Sequence, residues 1–122
     1  MEIIEGNKLI AEFMGAIPLE ESSPLLKLEF GFHHMVMLPE NMKFHSTWDW
    51  LMPVVEKIES TEKVLYCEIT NNNCRIAQPY PLKTIEIYNR DGNKSKIEVV
   101  WEACVQFIKW HNEKEKYWPQ NT

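Results

Sequence analysis

The chain has 122 residues, 44% of them apolar and 25% charged, which suits one compact domain with a single core and excludes a disordered or low-complexity chain. Thirteen Lys and Arg against eighteen Asp and Glu leave a net charge of -5, and the densest basic group, Lys94 and Lys96, runs straight into Glu98 and Glu102. That is not the basic stripe a phosphate backbone requires, so no nucleic-acid partner is expected, and without a long apolar run no membrane partner is expected either. The opening MEIIEGNK lacks the charged-then-apolar order of a secretory leader, so the expected location is cytoplasmic.

In chain order, residues 7–15 (NKLIAEFMG) read as a short helix with Asn7 as N-cap, Ile10, Phe13 and Met14 on its apolar face, and Gly15 just past its end. Two turns of helix are marginal alone, so packing must hold them. The stretch 16–45 is too long to be structureless in a compact domain. Within it, residues 26–30 alternate like a strand, Gly31 supplies a turn and residues 35–38 return, which puts His33 and His34 near a tip. The next helix opens at Ser46, with Asp49 standing for Glu in a capping box, and carries Trp48, Leu51, Met52, Val55 and Ile58 at helical spacing. Pro53 inside that span predicts a kink, or a helix whose regular part begins there.

From Lys63 the period becomes two: Leu65, Cys67 and Ile69 alternate with Tyr66, Glu68 and Thr70. Asn71, Asn72 and Asn73 turn the chain, residues 74–77 return, and a third strand follows at 84–88 before the turn Asp91-Gly92-Asn93. Registers that pair Ile69 with Cys74 or with Ile76 both place Cys67 and Cys74 on the inner face. The last helix, expected over about residues 96–114, opens on a full Ser95–Glu98 capping box. Ile97, Val100, Trp101, Cys104, Phe107, Ile108 and His111 form its core stripe, with acidic residues early and Lys109, Lys114 and Lys116 late, as the helix dipole prefers. These elements predict one α+β domain spanning residues 1–122. Its expected architecture is an α/β/α layered sandwich around an antiparallel sheet of three strands or slightly more, with the long C-terminal helix packed on the sheet through Trp101, Cys104 and Ile108.

Three segments, residues 7–15 (NKLIAEFMG), 44–60 (FHSTWDWLMPVVEKIES) and 96–112 (KIEVVWEACVQFIKWHN), resemble in sequence and order a family of small hypothetical proteins of gut anaerobes and their phages, the phage ABA sandwich domain family. The resemblance implies an α/β/α layered fold and a phage or mobile-element setting. It carries over no activity, cofactor or catalytic residue.

For chemistry, the histidines come first. His33 and His34 are adjacent, so in an extended chain they point to opposite faces; His45 lies further on, and neither H-x-x-x-H nor C-x-x-C occurs. Hydrogen-bonded loop histidines are therefore preferred to zinc ligands, and no metal or cofactor is expected. Cys67, Cys74 and Cys104 read as core thiols. The pairs Glu20-Glu21, Glu98-Glu102 and Glu113-Glu115 read as solvated charge, and with four glycines in all no phosphate-cradling motif can be assembled. Among five tryptophans, Trp48 and Trp101 fall on core faces, whereas Trp110 groups with Val99, Ala103 and Tyr117 about 120° from the core stripe. That second stripe either packs on another helix or a sheet edge, or docks a partner protein or a second copy of the chain. Trp110, Tyr117, Val99 and Trp50 are thus the candidate interaction residues. The expected function is that of a small non-enzymatic accessory module acting by protein–protein interaction. The alternative is a small-ligand binder or enzyme, with His33, His34 and His45 around a pocket under residues 25–38, beside Trp48 and Trp50.

Overall fold

The computed structural model describes residues 2–30, 33–61, 64, 66–79, 82–90 and 92–117, the side chains of Phe30, His33, Leu82 and residues 114–117 excepted. Helix α1 is Ile3–Phe13. It begins a turn before the sequence suggests: Glu2 is its N-cap, and Asn7 is not a cap but part of the buried face with Gly6, Ile10 and Ala11. Its end is as expected. Gly15 takes a φ of 99°, its N–H bonds Glu12 O at 3.0 Å, and Ala16 N–H reaches back to Ala11 O at 2.9 Å, the paired bonds of a Schellman turn. The Lys57 ammonium also donates to Phe13 O at 2.5 Å and lies 5.0 Å from the Phe13 ring centre.

The stretch after α1 forms a first sheet in the order β1 (Ile17–Pro18), β2 (Leu26–Phe30), β3 (His33–Met37). The β2–β3 hairpin is the one read from alternation, with Leu26 opposite Met37 and Phe30 opposite His33; its turn at Gly31 lies outside the described residues. Leu26 and Leu28 are buried, and Met35 and Met37 pack beside the core. A short 3-10 helix, Pro39–Asn41, leads toward α2, Trp48–Ser60.

Helix α2 is capped by Thr47 rather than Ser46, whose hydroxyl donates to Lys43 O at 3.5 Å. Its buried set is Leu51, Val54, Val55 and Ile58. Trp48 and Met52, expected in the core, are each 37% exposed. At 100° per residue they stand about 70° and 110° from the centre of that buried set, beyond the arc its neighbours cover. Pro53 lies inside one continuous helix, which starts before it and not at it.

The second sheet follows in the order β4 (Tyr66–Ile69), β5 (Asn73–Pro79), β6 (Leu82–Tyr88), all antiparallel. Ile69 opposes Cys74, one of the two registers the sequence allows. Thr70 organises the turn, its hydroxyl accepting the Asn72 and Asn73 N–H groups at 3.3 and 3.1 Å. Leu65 and Asp91, read as strand and turn, lie outside the described residues. One face carries Cys67, Cys74, Ile76, Ile85 and Ile87, which join the core. On the other face Arg75 holds Glu86 by two hydrogen bonds, 3.1 Å from Nε and 2.9 Å from Nη2, between Tyr66 and Tyr88, 41% and 48% exposed.

Helix α3, Lys96–Tyr117, opens on the expected Ser95 cap: Ser95 Oγ accepts the Glu98 N–H at 3.3 Å, and the Glu98 carboxylate reaches back to the Ser95 hydroxyl, which donates to Oε1 at 3.2 Å. Its buried residues, Val99 to Trp101, Ala103 to Val105, Phe107 and Ile108, cover roughly 240° of its circumference. It is buried so widely because α1 and α2 pack against it as well as β5 and β6. One expectation changes: Trp101 faces α1 rather than the sheet. Of the two alternatives left for the second stripe, Val99 and Ala103 follow the first and are packed in the core.

The class is therefore α+β with a long C-terminal helix, as read, but the strands form two three-stranded antiparallel sheets instead of one. Helices α1 and α2 and the second sheet all pack on α3, while the second sheet turns its polar face outward. Among the described residues no helix is long and apolar enough to cross a membrane.

Candidate functional site

Between β6 and α3 the surface opens into a groove of about 460 Å³. One wall is residues 83–87 of β6; the other is Gln106, Lys109, Trp110 and Glu113 of α3. Trp110 is half-buried, its ring 6.0 Å from Phe107 at 49°, and it lines the groove from the α3 side. The wall on β6 is also a free edge: in the sheet order β4-β5-β6, β6 has one neighbour, and among the described residues no strand pairs with its other side.

The register says which backbone groups that edge presents. Asn89 N–H bonds Asn72 O at 2.7 Å, and in an antiparallel ladder hydrogen-bonded pairs recur at every second position. Ile87, Ile85 and Lys83 therefore turn their N–H and C=O toward β5, and Glu86 and Thr84 turn theirs outward, at the lip of the groove. An extended peptide laid along β6 meets donors and acceptors at ladder spacing beside an aromatic side chain.

Of the other edges, β1 is two residues long and ends in Pro18, β4 is four residues long and touches α2, and β3 is five residues long with β2 as its one strand neighbour among the described residues. Short edges and prolines are common ways of closing a sheet against added strands. β6 is seven residues long, and Lys83 near its start is its one cation.

The carboxyl of Glu86, on the solvent side of this edge, is held below its ordinary value by hydrogen bonds from Tyr88, Arg75 and Asn73. It remains an anion already matched by Arg75, at 2.9 Å. Lys83, Lys109 and Glu113 are the other charges of the groove.

The four candidate interaction residues do not form one patch. Trp110 lines the groove; Val99 is 3% exposed and removed from any surface; Trp50 belongs to α2, where its ring meets Phe44 edge-on at 5.1 Å; and the Tyr117 side chain lies outside the described residues. Of the candidate pocket histidines, His34 is exposed on β3, 3.4 Å from the Glu29 carboxylate, and the His33 side chain lies outside the described residues. A second groove, about 290 Å³, lies beside the first sheet; the described residues that line it are Met14, Gly15, Ile17, Lys27 and Glu29. Among the described residues no three His, Cys, Asp or Glu side chains are placed to hold a metal ion.

His45 has a different place, in a polar hub that sequence reasoning missed. Asn7 is fully buried: its Oδ1 accepts the Trp101 indole N–H at 3.0 Å, and its Nδ2 faces Met42 O at 3.1 Å, Pro39 O at 3.4 Å and His45 Nδ1 at 3.0 Å. Two carbonyl oxygens and an indole donor fix the amide orientation, since a flip would set oxygen against oxygen. With the amide so oriented, Asn7 Nδ2 is the donor toward His45 Nδ1 and the ring nitrogen is the acceptor. The hub joins α1, the 3-10 helix, the entry to α2 and α3. The available signal was Asn7 itself, an amide one helical turn before Ile10 and Ala11 on an apolar face.

No family model, curated protein or solved structure matches this chain.

Proposed function

We propose that the chain is a non-enzymatic interaction module that takes an extended segment of a partner protein as an added strand on β6. The single observation that carries this reading is the juxtaposition of the outward backbone groups of Thr84 and Glu86 with the half-buried Trp110 in one groove. Main-chain bonds to an edge strand supply affinity, and a side-chain pocket beside it supplies selectivity. The occupant is a protein segment rather than a small molecule, because the groove follows a strand edge whose outward N–H and C=O groups recur at ladder spacing. The alternative, a small-ligand site under residues 25–38, has thinner support: the groove there is smaller, and among the described residues no histidine lines it. We place the module in the cytoplasm, in a phage or other mobile-element setting, on the strength of its resemblance in three segments.

The test is selection of random linear peptides by display on the folded protein, followed by affinity measurement against two variants. Thr84→Pro deletes an outward N–H without touching the β5 ladder, and Trp110→Ala empties the side-chain wall. Selected peptides should lose at least about tenfold in affinity, some 1.4 kcal/mol, on each. Peptides that bind both variants as well as the parent protein, or a selection that enriches no peptide, would remove the proposal.

A further inference from the structure

Two of the three thiols meet across the second sheet. Cys67 of β4 opposes Ile76, and Cys74 of β5 opposes Ile69, so the cysteines are diagonal neighbours on the inner face, with their sulfurs 4.0 Å apart. They differ in access: Cys67 is half-buried, whereas Cys74 is fully buried. We propose that Cys67 and Cys74 form a reactive dithiol, which a low-molecular-weight disulfide such as glutathione disulfide converts to an intrachain disulfide.

The exchange has two steps. The Cys67 thiolate attacks one sulfur of the oxidant; a Cys67–glutathione bond forms, the oxidant's sulfur–sulfur bond breaks, and one glutathione leaves with the proton that Cys67 gave up. Cys74 then loses its proton and attacks the Cys67 sulfur; the bond between the cysteines forms, and the second glutathione leaves as a thiol. Two cysteine thiols are oxidised by two electrons, and one glutathione disulfide is reduced to two thiols.

The electrostatics fit these roles. The hydrogen bond from Cys74 holds the Cys67 thiol below its ordinary value, which favours thiolate at the accessible sulfur. The same contact, together with burial, pushes Cys74 up, and that contact is lost once Cys67 is carried as a neutral mixed disulfide. Cys104, fully buried on α3, is pushed up by burial and takes no part. To bond, the sulfurs must close by about 2 Å from a diagonal position, where a disulfide is less relaxed than between residues chosen for it. The link should therefore yield again to reduced glutathione, a reversible device and not a permanent staple.

The experiment uses the native protein in glutathione redox buffers, read by intact mass and by peptide mapping without reductant. The expected product has lost two hydrogens and links Cys67 to Cys74, and excess reduced glutathione reverses it. Cys74→Ser should stop at one glutathione on Cys67, and Cys104→Ser should behave as the parent. Because the peptide map of the unsubstituted protein is decisive, a variant that folds poorly does not blunt the test. A stable mixed disulfide in the parent protein, a link that includes Cys104, or no reaction without denaturant would overturn the proposal.

Discussion

Removing either partner of the Asn7–Trp101 hydrogen bond should destabilise the fold out of proportion to one bond, and removing both should cost less than the sum. Asn7 is 0% exposed and Trp101 4%, and their bond is 3.0 Å long. Asn7→Ala leaves the indole N–H and the Met42 carbonyl without their Asn7 partner; at about 1 to 3 kcal/mol for each orphaned buried group, the loss is about 2 to 6 kcal/mol. Trp101→Phe orphans only the Asn7 oxygen, about 1 to 3 kcal/mol, with a further increment for the indole volume withdrawn beside Gly6. In the double variant the pair is absent from both sides, so the two losses should fall short of additivity by about 1 to 2 kcal/mol. Urea unfolding followed by circular dichroism measures all four proteins, and in thermal melts each kcal/mol should appear as a shift of about 4 °C. Strict additivity, or an Asn7→Ala variant as stable as the parent, would refute the hub. Asn7→Asp sharpens the test: an ionised carboxylate cannot donate to the Met42 and Pro39 carbonyls, so this variant should be less stable at neutral pH than in mild acid relative to the parent.

Gly6→Ala should destabilise despite the better helix propensity of alanine, by about 1 to 2 kcal/mol net, because the new Cβ would stand 2.4 Å from Trp101 Cζ2 and 2.7 Å from Cη2. In a Trp101→Phe background those ring atoms are withdrawn, so the same substitution should become near neutral in urea unfolding. Ser95→Ala should cost about 1 kcal/mol by removing the acceptor for the Glu98 N–H, and Ser95→Asp should restore most of it. Glu86 is held below the usual carboxylate range by Tyr88, Arg75 and Asn73, so its ionised form stabilises the fold above its unfolded value, and that support is lost as pH falls through its folded value. The stability gap between the parent and Glu86→Gln should accordingly narrow on acidification; parallel pH profiles would show that the pairing contributes nothing.

Local signals proved legible where they bind neighbours in sequence. The Ser95–Glu98 cap, the Gly15 terminus, the turn at Asn71 to Asn73 and the facing of Cys67 and Cys74 each depend on residues within a few positions of one another. What went unread depends on distant partners. Asn7 has the composition of a cap, and only Trp101, 94 residues away, makes it a buried amide. Trp48 and Met52 obey helical spacing, yet the arc that counts is set by what packs on α2. The Val99–Ala103 stripe resembles a surface patch until the second sheet is placed against it. The groove at Trp110 was half legible: periodicity separated this tryptophan from the core stripe, but not that its neighbour would be the free edge of β6.

The wide burial of α3 bears on the order in which the molecule can be assembled. Every surface this helix covers, on α1, α2, β5 and β6, belongs to sequence translated before it. A ribosome that has delivered residues 1–95 has therefore delivered both sheets and two helices, but not the wall that α3 gives them. Until Lys96–Tyr117 emerges, Cys74, Ile76 and Ile85 lack that cover, and the apolar inner face of the second sheet is open to any neighbouring nascent chain. Stable folding must wait for α3, so the window for aggregation through that face closes only when the helix leaves the exit tunnel.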